Sequence, residues 1–337
     1  MNSTRNLLAD DIQIWLNNSI SIVSTIINFI GFYVIIVQKS RESRHFALVQ
    51  LFYQFVLYFC QVYAGSILNI VFLFPLPGAY CIGLLRNLSG FSALLAFGLF
   101  DVLFSLQGAL IAVLMFMKTM TLARPGSPFR MSELTQRIFI SVVIGGSALS
   151  QIGVLLASYS NPTQVAAFLQ KTYPNMTFLL RYNFLWMLTT NRHFVGVITS
   201  IFICIGLVFM VCMMSFIILI FELDLQVNTM SKSSNKYHRK LANEFMSHTF
   251  ITLPFFILVP FLILIKFFLD ENTDVAVLTT GSFAFFISAP IPSMLAFLYK
   301  NPAYRTFIIK EFHIPTKQKT AVKATNSRQT QSRVQAE

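Results

Sequence analysis

The chain has 337 residues, of which 55% are hydrophobic and 11% charged, where soluble proteins carry roughly 45–50% and about 25%. With 36 Phe, a mean hydropathy of +0.66 and a net charge of +12, the composition excludes an ordinary soluble enzyme and points to lipid as the solvent.

A membrane-crossing helix needs about 20 consecutive apolar residues. In chain order, seven stretches meet that length: Ile14 to Val37, Phe46 to Leu73, Phe91 to Met117, Ile138 to Ser158, Val195 to Phe221, Met246 to Leu269 and Val275 to Tyr299. The runs are continuous, as in Phe255 to Ile265, whereas barrel strands would alternate over about ten residues. The expected fold is an all-α bundle of seven transmembrane helices. Pro254, Pro260, Pro290 and Pro292 fall inside the sixth and seventh helices and predict kinks.

Orientation follows from Lys and Arg, which are retained on the cytoplasmic side. The segments Gln38 to His45, Lys118 to Arg137, Glu222 to Phe245 and Lys300 to Glu337 hold 19 of the 25 basic residues, and the alternate segments hold 6. The amino terminus is therefore expected outside and the carboxyl terminus inside. All four N-x-[ST] sequons, at Asn2, Asn17, Asn87 and Asn175, fall on the predicted external side, where glycosylation occurs. No cleavable signal pattern precedes the first helix, which is expected to serve as its own insertion signal. The basic residues lie at helix ends and in the tail, with no aromatic-interleaved basic module, so membrane lipids rather than nucleic acid are the expected partner.

Asp101 is the only acid well inside a predicted span, and ionisable groups there are costly. It is open to three readings: ligand contact, part of a buried polar switch, or a protonated structural acid. Gln50, Gln54 and Gln61 share one stripe of the second helix, expected to face the bundle. Rise per residue puts Gln61 at the depth of Asp101, so the two could meet. Inter-helix amides also stabilise packing without any ligand. Gly145-Gly146-Ser147 and Gly108 with Ala109 and Ala112 read as helix-packing surfaces.

Little in the sequence supports catalysis. Cys60, Cys81, Cys204 and Cys212 show no metal or C-x-x-C spacing, and the five His are scattered. No G-x-S-x-G or phosphate-binding loop is present. No enzyme activity and no cofactor or metal are expected. A transporter or channel is the rival reading from another class, kept open by the helix 6 and 7 prolines, although no internal repeat is visible.

Seven helices, a longer loop from Tyr159 to Phe194 and a basic tail resemble a G-protein-coupled receptor. The rhodopsin-class marks are poor: MFMKTMTLARP follows helix 3 where an acidic-Arg-aromatic triplet would stand, and Asn301-Pro302-Ala303-Tyr304 is one residue short of N-P-x-x-Y. Cys81 precedes helix 3 with no cysteine in the second external loop to pair with. The chain is more similar to the nematode serpentine chemoreceptors, the group that contains the Srh, Str and Sri families. Three stretches carry the resemblance: LFPLPGAYCIGLL at Leu73 to Leu85, MSKSSNKYHRKLANEF at Met230 to Phe245 and NPAYRTFIIKEF at Asn301 to Phe312, with the Tyr304-Arg305 pair after helix 7.

This resemblance implies a plasma-membrane receptor in the cilia of sensory neurons that detects a small environmental molecule and signals to a heterotrimeric G protein. A receptor for an endogenous ligand shares the same layout. Ligand is expected to enter beneath the loop that carries Trp186, toward Gln61 and Asp101. Lys118, Arg124, Lys236, Arg239, Lys240, Tyr304 and Arg305 are the expected G-protein-facing residues. Residues 300–312 are expected to form a short interfacial helix with Phe307, Ile308 and Phe312 toward lipid, and residues 313–337 a disordered tail.

Overall fold

The computed structural model describes residues 3–38, 44–73, 76, 78–124, 126–226, 239, 242–243, 251–255, 257 and 276–311. Among these, six helical stretches are long and apolar enough to cross a membrane: Asp10–Val37, His45–Leu68, Gly90–Leu122, Glu133–Ala157, Val195–Gln226 and Thr279–Lys300. Of the predicted sixth helix, only residues 251–255 and 257 are described. They are helical, and Phe255 stacks on Phe285 with ring centroids 4.1 Å apart. Pro260 and the tail beyond Glu311 lie outside the described residues.

The helices are α1 (Ser3–Val37), α2 (Arg44–Val62), α3 (Gly90–Leu122), α4 (Glu133–Ala157), α5 (Pro162–Thr172), α6 (Asn191–Gln226), α7 (Ala276–Ile287), α8 (Pro290–Lys300) and α9 (Pro302–Glu311). Helix α3 is apolar on every face and runs through the centre, packed against α2, α4 and α6, as expected for a helix without a polar side. Helix α1 is patterned the opposite way to a soluble helix. Asp10, Gln13, Asn17, Ser21, Ser24 and Asn28 recur every three or four residues and are buried, while Ile22, Ile26, Phe29 and Ile36 are exposed. Apolar side chains also cover the outer faces of α4 and α6, among them Ile138, Val142, Leu149, Leu207, Met210 and Ile217. An exposed apolar surface of this extent requires lipid around it.

Helix 2 stops short of its expected end at Leu73. After Val62 the chain widens into a π-helical turn, Tyr63–Leu68, which closes on Asn69 with φ at 49°. The next three residues form β1 (Ile70–Phe72), which pairs antiparallel with β2 (Gly78–Cys81). The expected external loop is also folded. Asn161 caps α5 through a capping box with Gln164 and with Pro162 in the first turn, a 3-10 helix spans Pro174–Arg181, and β3 (Leu185–Met187) adds to β2. The resulting order β1-β2-β3 forms a small roof with its own apolar cluster of Leu76, Tyr80, Ile82, Val165, Leu169, Leu179 and Met187. Below, this end of the bundle is called the sheet end.

Helix 7 is divided as its prolines predict: α7 ends at Ile287 and Pro290 starts α8, with Ser288 and Ala289 between them. Helix α9 is present, but Phe307 and Ile308 pack against Val34, Met294 and Tyr304 instead of pointing only to lipid, because α9 lies against α1 and α8. Gly145 and Gly146 meet nothing within 4 Å, so the expected packing surface on α4 is unused within the described chain. Ala109 and Ala112 on α3 are fully buried, as expected.

Two glycines carry the sheet end. A Cβ on Gly83 would lie 2.5 Å from the Ile67 carbonyl oxygen, and one on Gly78 would lie 2.7 Å from that of Trp186. Both clashes are with backbone, which cannot swing aside. Gly83→Ala is expected to lower stability by about 1–3 kcal/mol, and Gly146→Ala, in open space inside a helix, to raise it by up to about 1 kcal/mol, in thermal unfolding of the purified chain in detergent.

Candidate functional site

Trp186 sits in β3, opposite Ala79 of β2, and stacks on Phe97 of α3 with ring centroids 4.5 Å apart and planes 18° from parallel. Its indole nitrogen is buried and has no hydrogen-bond partner among the described residues. Beside it lies a cavity of about 220 Å³ between the roof and the start of α3. Ala93, Leu94, Val165 and Met187 form its buried floor, and Tyr159 and Asn183 its exposed mouth. From Trp186 a series of ring contacts crosses the bundle: Phe97 to Phe100 at 5.9 Å, Phe100 to Phe286 at 6.3 Å and Phe286 to Phe283 at 6.1 Å. Phe286 stands just before the break in helix 7.

The roof is fastened to α1 by one carboxylate. Tyr80 and Tyr182 donate to the two oxygens of Asp10, at 2.7 and 2.8 Å, and Arg181 donates to the Tyr182 hydroxyl at 2.8 Å. The two tyrosine rings stack 4.2 Å apart. Burial, then Asp10, pushes the Tyr80 hydroxyl above its ordinary range, and burial raises Tyr182 as well, so both remain donors. Nearby, Gln13 donates to the Ile70 carbonyl at 2.8 Å and accepts from Thr280 at 3.3 Å, and Asn17 donates to the Asn69 side chain at 2.8 Å. All four cysteines are free thiols. Cys81 donates to the Leu68 carbonyl, and burial pushes its pKa up to about 11.

Asp101 is placed inside the bundle on α3, but Gln61 does not reach it. No hydrogen bond or ion pair joins Asp101 to another described residue, and it lines a crevice of about 10 Å³ with Gln151, Cys204 and Val208. Gln61 is buried, and neither of its amide atoms has a partner among the described residues. Equal depth does not mean contact: the residues that share the Asp101 crevice come from α3, α4 and α6. Gln50 and Gln54 are buried as expected, and Gln54 exchanges hydrogen bonds with Ser293 of α8 at 3.1 and 3.3 Å.

At the opposite end, Glu222 of α6 is the organising group. Its buried carboxylate accepts from the Ser127 hydroxyl at 2.5 Å, faces the Arg124 guanidinium at 3.5 Å and meets the Arg124 backbone N–H at 3.4 Å. Gln226 donates to the Leu122 carbonyl at 2.8 Å and Thr119 to that of Ser215 at 3.0 Å. Of the basic residues expected here, Arg124 is part-exposed, Arg239 is exposed and paired with Asp224 at 2.7 Å, and Arg305 is exposed beside the Tyr299 ring. Lys118 is buried with its ammonium 4.7 Å from the Phe46 ring centre, and Tyr304 is buried against Phe297. Neither presents its side chain at the surface. Lys236 and Lys240 lie outside the described residues.

Among the sequons, Asn87 and Asn175 are exposed at the sheet end. Asn17 is completely buried, and a glycan does not fit there. Asn2 lies outside the described residues. Asp10 and Glu222 fall just outside the apolar runs Ile14 to Val37 and Val195 to Phe221, so run length does not single them out. A signal existed for each: Asp10 is in helical phase with Gln13 and Asn17, and Glu222 is an acid directly after a long apolar run.

The fold and its two polar ends define a multi-pass helical membrane protein. The family model described as serpentine type 7TM GPCR chemoreceptor Sri matches residues 12–308. The chain belongs to this family, one of the group that its Tyr304-Arg305 segment and the LFPLPGAYCIGLL stretch resemble. No curated protein matches the chain.

The Asp10 contact is testable by itself. Asp10→Ala leaves the buried Tyr80 hydroxyl and the part-buried Tyr182 hydroxyl without their acceptor and is expected to destabilise the chain by about 2 kcal/mol, and Tyr80→Phe by about 1 kcal/mol. Thermal unfolding in detergent checks both.

Proposed function

We propose that the chain is a chemosensory receptor with seven membrane spans, whose sheet end faces outside and whose Glu222 end faces the cytoplasm. The observation that carries this is the family match over nearly the whole bundle. The remaining span is the segment Met246 to Leu269. The distribution of Lys and Arg and the exposure of Asn87 and Asn175 at the sheet end support the orientation. The receptor resides in the plasma membrane, in sensory cilia of a nematode by the resemblance to that group, and detects a small environmental molecule.

A ligand acts by binding one bundle state better than another. Trp186 is the contact nearest the outside. Its ring series through Phe97, Phe100 and Phe286 ends at the Ser288-Ala289 break, where α8 can tilt against α7. Gln61 and Asp101 are two separate polar positions deeper down, the first toward α2 and the second toward α4 and α6. On the cytoplasmic side, opening requires Glu222 to release Arg124 and Ser127. Arg124, Arg239 and Arg305 then face the G protein, with Lys236 and Lys240 from the adjoining segment, whereas Lys118 and Tyr304 act through packing.

Cells expressing the chain at the surface are expected to give a dose-dependent, G-protein-dependent second-messenger response to a small molecule. Asp101→Asn at equal surface level is expected to raise the half-maximal dose about tenfold. A ligand-evoked current or solute flux independent of G protein would overturn the reading in favour of a transporter or channel. For orientation, Asn87→Gln and Asn175→Gln should each remove one glycan from the mass of the expressed chain, and Asn17→Gln should remove none.

A further inference from the structure

We infer that the π-helical turn of helix 2 and the break in helix 7 are the two seams of one hinge, across which the roof and α7 tilt together against α8 and α2. This deepens the receptor reading and rests on it only for what drives the tilt.

Each seam has its own cause. A π-helical turn bonds five residues apart where an α-helix bonds four, and such single turns recur at functional bends. This one closes on Asn69, the one non-glycine residue with positive φ among the described residues. A backbone outlier of that kind persists where its surroundings hold it. Asn17 donates to the Asn69 side chain at 2.8 Å, and at the start of the turn the Tyr63 hydroxyl donates to the Ala96 carbonyl of α3 at 2.9 Å. In helix 7 the cause is proline, which has no N–H. Pro290 and Pro292 cannot donate to Phe286 and Ser288, and those carbonyls accept from Ala289 and Ile291 instead. The Ile291 N–H, which a regular helix would direct to Ile287, is thereby diverted.

The seams touch each other. A Cβ on Gly65, inside the π-helical turn, would lie 3.0 Å from Cδ1 of Ile287, the buried last residue of α7. Two further contacts fasten α7 to the roof side. Phe72 of β1 meets Phe283 edge-on with ring centroids 5.7 Å apart, and Gln13, which holds the Ile70 carbonyl, accepts from Thr280. Thr280, Phe283 and Ile287 are three and four residues apart and so form one stripe of α7.

Across the seams the partners change. Helix α8 is tied to α2 through Gln54 and Ser293, and to α1 through Met294 against Gly31 and the cluster around Val34. Helices 2 and 7 are thus divided at one level, and each part of one is bonded to the corresponding part of the other. Helices α1 and α3 pass the level undivided and form the pivot.

The test is hydrogen exchange, read by mass spectrometry on the full-length chain in lipid nanodiscs at residues 63–69, 286–291 and, as reference, 103–114 of α3. Asn69→Gly keeps the left-handed φ, which glycine adopts freely, and removes the side chain that Asn17 holds. Made in helix 2, it is expected to speed exchange at Ser288, Ala289 and Ile291 by about fivefold or more, the lower end of ordinary coupling between sites. Pro290→Ala restores a helical donor in helix 7 and should slow exchange at 63–69 by a similar factor. Adding Ile287→Ala, which opens the contact with Gly65, should cut the effect of Asn69→Gly to less than about twofold.

Unchanged exchange at the break in Asn69→Gly would overturn the hinge, as would a rise of equal size in α3, which is general loosening. An effect undiminished by Ile287→Ala would overturn the contact as its link. Failure of the receptor reading looks different: the coupling would hold in nanodiscs while cells expressing the chain gave no second messenger. A second-messenger response without the coupling would overturn the hinge and leave the receptor reading intact.

Discussion

Lipid offers no hydrogen bonds, so the polar side chains of a membrane-embedded helix are turned toward the protein and away from the hydrocarbon. This single constraint explains α1, whose polar side is turned inward and whose Ile and Phe residues are turned outward. Asp10, Gln13 and Asn17 join the roof, the β1 strand and α7, while Thr25 meets Tyr58 of α2 at 3.1 Å. Individually such inter-helix bonds contribute only about 0.6 kcal/mol on average. Their value lies in direction, because apolar packing alone would leave α1 free to rotate about its axis.

The same logic separates the two ends of the molecule. At the sheet end, tyrosines, a tryptophan and phenylalanines surround a few polar anchors beside a small cavity. At the other end, a buried carboxylate gathers the loop after α3 onto the last turn of α6. Between them, α3 is continuous and α7–α8 is not. The central helix is unbroken, whereas the divided one changes at Ser288 and Ala289 to hydrogen bonds that span three residues, as from Ala289 to Phe286 and from Ile291 to Ser288.

Composition and run length made the helices legible, because the apolar stretch needed to cross lipid is a property of consecutive residues. Proline made the break in helix 7 legible, and helical spacing placed Gln50, Gln54 and Gln61 inward. What could not be read was direction around an axis and anything built by distant segments. Asp101 and Gln61 share a depth but not a contact. The roof joins residues 70–81 to residues 185–187 through strands of three or four residues, too short to show a period. The inward side of α1 was legible in its spacing of polar residues, since Asp10, Gln13, Asn17, Ser21, Ser24 and Asn28 repeat at helical intervals; apolar length alone concealed it.

The inward polar stripe of α1 has a consequence for biosynthesis. Its partners are made later than it is: Asn69 follows Asn17 by 52 residues, and Thr280 follows Gln13 by 267. At about 5–20 residues per second, the second interval is roughly 13 to 50 s. Until Thr280 is made the Gln13 carbonyl lacks that hydroxyl, and only the arrival of α7 supplies it. A chain cut short before Thr280 therefore keeps one half of this contact without the other, which distinguishes it from the full fold.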